Sequence, residues 1–224
     1  MTFSISARCP TTGMFGIAIS SSSPAVAARC AHARAGVGVV ATQNITDPSL
    51  GPGGLDLMER GASASQARDI LVATRRHIDH RQLALVDSLG RTAIFSGART
   101  LGVNAVAEGP GVAAAGNLLA TEEVPWKMVD AFGASSGHLG DRLLVAMQAA
   151  LAAGGEAGPV HSAGLLLVRD VAWPVADLRV DWDEHDPIAA LHRLWDIYRP
   201  QLEAYVDRAL DPTAAPRYGV PGDE

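Results

Sequence analysis

Cysteine, aromatic side chains and long apolar runs are all scarce in this chain of 224 residues. Its two cysteines, Cys9 and Cys30, cannot make a metal site by themselves, and neither lies in a CxxC pair. No apolar run reaches the ~18 residues needed to span a bilayer, so no membrane partner is expected. The N-terminus lacks a basic segment leading into an apolar one, so no signal peptide is expected and the cytoplasm is the default compartment. Basic charge is not in excess: the net charge is −6, and no Lys/Arg cluster interleaves with aromatics. That pattern excludes an evident nucleic-acid partner. With 48% hydrophobic and 19% charged residues, what is present is an Ala/Val/Leu/Gly-rich globular chain able to bury a substantial core. One domain over 1–210 is expected, followed by a Pro/Gly-rich tail at 211–224.

Hydrophobic period supplies the elements. Thr2, Ser4 and Ser6 alternate with Phe3, Ile5 and Ala7, the signature of a half-buried strand. A turn at 10–13 leads to a second strand at 14–20, and a third is expected at 37–43. The Pro- and Gly-rich stretch 44–54 reads as a loop. A helix is expected from Ser63 to about Arg76, then strands at 82–87, 91–97 and 111–117. Two helices follow, one capped by Thr121 and running to about 132, the other at 139–153 ended by Gly154 and Gly155. Strands at 162–169 and 177–181 precede a long amphipathic helix, from the Asp186 cap and Pro187 to about Leu210. Strands in antiparallel runs and helices in pairs predict an α+β fold, a four-layer αββα sandwich of two antiparallel sheets flanked by helix pairs.

Thr2 is the residue with most chemical promise. Once Met1 is trimmed, its hydroxyl and a free α-amine share one residue. The amine, with an ordinary pKa of roughly 7.7–8.0, is basic enough to activate the hydroxyl as a nucleophile.

An αββα sandwich opened by an N-terminal Thr strand is the pattern of N-terminal nucleophile (Ntn) hydrolases, and the chain most resembles the DUF1028 family. The matching stretches are MTFSISAR, GIAIS, ARAGVGVVATQ (33–43), RQLALVD (81–87), AGNLL (115–119) and DLRVD (177–181) with the following DPIAALHRL. They spread over about residues 2–198. The resemblance implies an Ntn-hydrolase-like fold with Thr2 as nucleophile and says little about the substrate. The block Gly-Gly-Asp-x-Arg-Gly-x-Gln-Ser-Ala usual in that family reads here from Gly154 to Ala163 with Gly158 and His161 in place of its Arg and Gln. Ser22 stands where many members carry a basic residue.

On this reading Thr2 is the catalytic nucleophile, and Asn117, at a strand end after Gly116, supplies an amide to an oxyanion hole. Ser21 and Ser22 end the strand beside the first and are placed to hydrogen-bond the Thr2 amine. Gln43 and Asn44, at the end of the third strand, and His161 are the other candidate substrate contacts. No metal or cofactor is expected: His77 and His80 lack further ligands, and the acidic group at 181–186 has no EF-hand spacing. A hydrolase of a small amide or peptide-like molecule is the expected function. The alternatives are a non-catalytic small-molecule-binding or scaffold protein of the same fold and, less favoured, a thiol chemistry at Cys9 or Cys30. Trp182, Trp195 and Tyr198 around the last helix point to a core or to a homodimer interface.

Overall fold

The computed structural model describes residues 1–220, so the end of the expected tail, 221–224, lies outside the described residues. In chain order the elements begin with β1 (Thr2–Arg8), β2 (Phe15–Ser21), α1 (Val26–Cys30), β3 (Ala31–Arg34), β4 (Gly38–Asn44), α2 (Leu50–Glu59) and α3 (Ala64–Thr74). Next come β5 (Arg81–Asp87), β6 (Thr92–Ser96), β7 (Ala105–Gly109), β8 (Val112–Asn117), α4 (Val124–Ala134) and α5 (Leu139–Ala152). The last are β9 (Ser162–Val168), β10 (Ala176–Val180), α6 (Pro187–Tyr198) and α7 (Leu202–Leu210).

The strands form two antiparallel sheets, one ordered β10-β9-β2-β1-β8-β7 and the other β3-β4-β5-β6. Alternation along β1 decides how the layers stack. Phe3, Ile5 and Ala7 are buried with Met128, Leu143, Met147 and Trp195 beneath α4, α5 and α6. The opposite faces of the two sheets meet through Phe15, Ile17, Val39, Ala41, Ala84, Val86, Ala113 and Ala115. Leu50, Leu55 and Leu71 of α2 and α3 cover Val40, Leu83 and Leu85 on the outside of the smaller sheet. The result is the four-layer αββα sandwich, with β1 in the interior of the larger sheet. Among the described residues no helix is long and apolar enough to cross a membrane.

Several expectations give way to the structure. The expected loop at 44–54 is in its second half the start of α2. Pro52 falls in the first turn, where a missing N–H costs nothing. The glycines serve close packing: a Cβ on Gly51 would lie 2.1 Å from the His32 ring and one on Gly54 3.2 Å from Val40. The short α1, β3 and β7 were not foreseen, because four or five residues carry too little periodicity to read. Thr121 does not cap α4; its hydroxyl reaches the Ala153 carbonyl, and the helix starts after Glu123 with Pro125 in its first turn. The long C-terminal helix divides at Pro200 into α6, a 3-10 turn at Arg199–Gln201 and α7. Proline has no N–H to continue the ladder. Trp195 is 1% exposed and belongs to the core under α6, so it is not an interface residue.

Candidate active site at the start of the first strand

Thr2 opens β1 between two neighbours, and each brings a candidate residue. In the β1–β8 register Thr2 lies opposite Asn117, and on the other side the β1–β2 ladder ends at the Phe3–Ser20 pair, one residue before the end of β2 at Ser21. Because Thr2 and Ser4 share the inward face, both hydroxyls point at the second sheet. Ser4 Oγ donates to Gln43 Oε1 on β4 at 2.7 Å. Thr2 is 5% exposed. Its hydroxyl lies against the Met1 carbonyl and 3.4 Å from Ser21 Oγ. Ser21 in turn bonds the same carbonyl and sits 2.9 Å from Ser23 Oγ, which accepts from Arg29 Nη2 at 3.0 Å. A guanidinium is thus linked to the Thr2 hydroxyl through two serines.

Behind Thr2 polar side chains fill the space between the sheets, and Gln43, Gln82 and Asn117 among them are buried. Gln43 Nε2 donates to Gln82 Oε1 at 2.7 Å, and Asn117 Nδ2 donates to the same oxygen at 3.2 Å. Gln82 Nε2 gives its hydrogens to Ser96 Oγ and the Gly116 carbonyl. Gln82 therefore uses its whole amide, and Gln43 is spent as a tie between Ser4 and Gln82. Asn117 Oδ1 is buried and has no partner among the described residues. A buried acceptor in that condition calls for a donor from outside the chain.

Glu156 closes the open end of this arrangement. Gly154 and Gly155, at φ of 106° and 57°, turn the chain sharply after α5, as only glycine does readily. Glu156 then bridges Leu119, just beyond β8, while both of its carboxylate oxygens accept the Ser22 N–H at 3.2 Å, just beyond β2. It is buried, at 4% exposure. Burial pushes its carboxyl up to about 7, against the pull of the positive chain-start amine and the Ser22 bond.

The remaining predicted residues separate. Ser22 contributes its backbone N–H to Glu156. Asn44, at φ of 75°, spends its amide on the His80 carbonyl and the Leu101 N–H, so it joins two loops away from Thr2. His161 lies at the rim: its backbone N–H donates to the Ser21 carbonyl, and its ring stacks on Trp182 at 4.5 Å between centroids. Glu156, Gln82, Ser23 and Arg29 are site neighbours that the sequence reading missed. Gln82 had a usable signal, since it shares the face of Ala84 and Val86 at the start of a strand. Burial pushes the Cys30 thiol up, which keeps it protonated and makes it a poor nucleophile. A groove of about 580 Å³ between α4 and α5, lined by Lys127, Asp130 and several alanines, lies on the helical face of the larger sheet, away from the Thr2 hydroxyl.

No curated protein matches the chain. Among solved structures, protein SPO2555 from Silicibacter pomeroyi, a DUF1028 protein, is 29% identical, with a TM-score of 0.82 over 88% of each chain. Anbu (ancestral beta-subunit) from Yersinia bercovieri is a weaker likeness, 14% identical with a TM-score of 0.39 over 91% of this chain and 97% of that one. The model of DUF1028, described as a family of unknown function, matches residues 2–191, and the chain belongs to that family.

Proposed function

We propose that the protein is an Ntn-type hydrolase of a small amide or peptide-like molecule, with Thr2 as nucleophile once Met1 is removed. The observation that carries this reading is the seat of Thr2: the second residue of the chain is buried at the head of an interior strand, its hydroxyl turned into a polar inter-sheet space. Loss of Met1 takes away the carbonyl that both the Thr2 and Ser21 hydroxyls address, and leaves a free amine beside them. The Thr2 amine accepts the hydroxyl proton as Oγ1 attacks the substrate carbonyl carbon. The carbon–nitrogen bond then breaks, the proton leaves on the departing amine, and water releases the acyl group from Oγ1. Asn117 supports the substrate with its second Nδ2 hydrogen, toward the oxyanion, or with the unpartnered Oδ1, toward a substrate N–H.

The altered block favours the rival reading, a binding protein of the same fold, because Gly158 and His161 stand where the family has Arg and Gln. Two measurements decide between them. Intact mass is expected to show a chain lacking Met1. A screen of amides, lactams and short peptides is expected to find turnover in the wild type that falls at least about a thousandfold in Thr2→Ala. Retained Met1, or undiminished turnover in the variant, removes the enzyme reading. We place the enzyme in the cytoplasm as a homodimer joined through the outer face of α6, where Leu194 and Ile197 are exposed.

A further inference from the structure

We infer that Glu156 is the positioning residue that receives the α-amine of Thr2 across the open end of β1, and so sets the basicity of the group that activates the nucleophile. The inference rests on the Thr2 reading above and adds to it a partner for the amine. Its ground is the sheet order. β1 lies between β2 and β8, and Glu156 touches the continuation of both neighbours: Ser22 past the end of β2 and Leu119 past the end of β8. A residue that spans those two points stands directly ahead of the first residue of β1. Its carboxylate takes one N–H from Ser22 on both oxygens, which leaves lone pairs for a second donor. The charged groups acting on it are the chain-start amine and, more weakly, His161 at the rim. With Met1 in place that amine belongs to Met1; with Met1 removed it belongs to Thr2, one residue further into the site. The carboxylate holds the amine where it faces the Thr2 hydroxyl and stabilises its protonated form once it has taken the hydroxyl proton. No co-reactant is involved: the proton that leaves the Thr2 hydroxyl resides on the amine and returns to the leaving group.

The test reads the amine itself, without a substrate. The pH dependence of α-amine acetylation, followed by mass spectrometry of the N-terminal peptide, gives its titration midpoint in the intact protein. Wild type, Glu156→Gln and Glu156→Asp are compared, with near-UV circular dichroism as the check on folding. Glu156→Gln is expected to lower the midpoint by about one unit or more, and Glu156→Asp, which keeps the charge on a shorter arm, to fall between. A folded Glu156→Gln with the wild-type midpoint overturns the inference. Should that variant fail to fold, a wild-type midpoint in Glu156→Asp overturns it as well. Retained Met1 overturns this inference and the hydrolase reading together. Turnover undiminished in Thr2→Ala removes the hydrolase reading alone, since the midpoint shift still decides the role of Glu156.

Discussion

Gln82 holds the back wall of the candidate site, and its removal takes a partner from Gln43 Nε2, Asn117 Nδ2, Ser96 Oγ and the Gly116 carbonyl, of which the Gln43 and Asn117 amides are fully buried. Each buried polar group left unpaired costs about 1–3 kcal/mol. Gln82→Leu, close in size but unable to bond, is therefore expected to lose roughly 3 kcal/mol or more in urea unfolding. A loss below about 1 kcal/mol would mean that water replaces the amide and that the space behind Thr2 is wet. The Thr2→Ala result belongs to the same scale, because that change takes one hydroxyl from a residue whose partners are a carbonyl and a serine. Such residues were only partly legible. That Thr2, Ser21 and Asn117 lie together at one end of neighbouring strands was readable, because chain position and strand ends mark them. Glu156 was not, since nothing local in Gly-Gly-Glu-Ala tells a solvated carboxylate from one buried against Ser22, more than a hundred residues away.

Among the elements, α3 shows how a local signal and a distant one combine. Ser63 and Gln66 form a reciprocal capping box, as their spacing allows. Asp87, at the end of β5, adds a bond from the Ala64 N–H and holds the turn to β6 through Leu89, Arg91 and the Arg91 guanidinium. Burial pushes the Asp87 carboxyl up, but these donors outweigh it and hold it below the ordinary value of 3.8. A carboxylate whose folded pKa is depressed lends stability that is present above that ordinary value and is lost as the pH falls through the folded one. Asp87→Asn is accordingly expected to be about 2–3 kcal/mol less stable than wild type at pH 7, with the gap narrowing as the pH falls below the ordinary value of 3.8. A gap that does not narrow in urea titrations carried below that pH would contradict that account.

The packing of α6 gives a second test on elements. Trp195 fills the core, donates its indole N–H to Asp141 at 2.7 Å and leaves no room for a Cβ on Gly140. Trp195→Ala is expected to cost about 3–5 kcal/mol by thermal or urea unfolding. Its pattern with Ile188 and Leu191 was readable as an amphipathic face; that the face meets α5 was not.

For the whole molecule, two sheets stacked by their small inward residues set the site where the interior strand of one begins. The homodimer expectation now concerns the outward side of α6. If the proposed homodimer forms through α6, Ile197→Lys is expected to give a monomer of about half the wild-type mass in sedimentation velocity, with near-UV circular dichroism unchanged. An unaltered dimer would rule out α6 as the interface.

By itself the sequence determined which side chains share a face: the period of two along β1 sent Thr2, Ser4 and Ser6 one way and Phe3, Ile5 and Ala7 the other. It also determined where helices begin with strong caps, at Ser63 and Asp186. These are properties of a few adjacent residues, and backbone geometry alone fixes them. Only the tertiary structure decided that glycines around Pro52 enter a helix, that Gln43 and Gln82 join behind Thr2, and that Glu156 closes the end of β1. Each of these depends on a contact between strands or helices far apart in the chain. Burial, and with it the pKa of a carboxylate or the use of an amide, comes into being only when the two sheets meet.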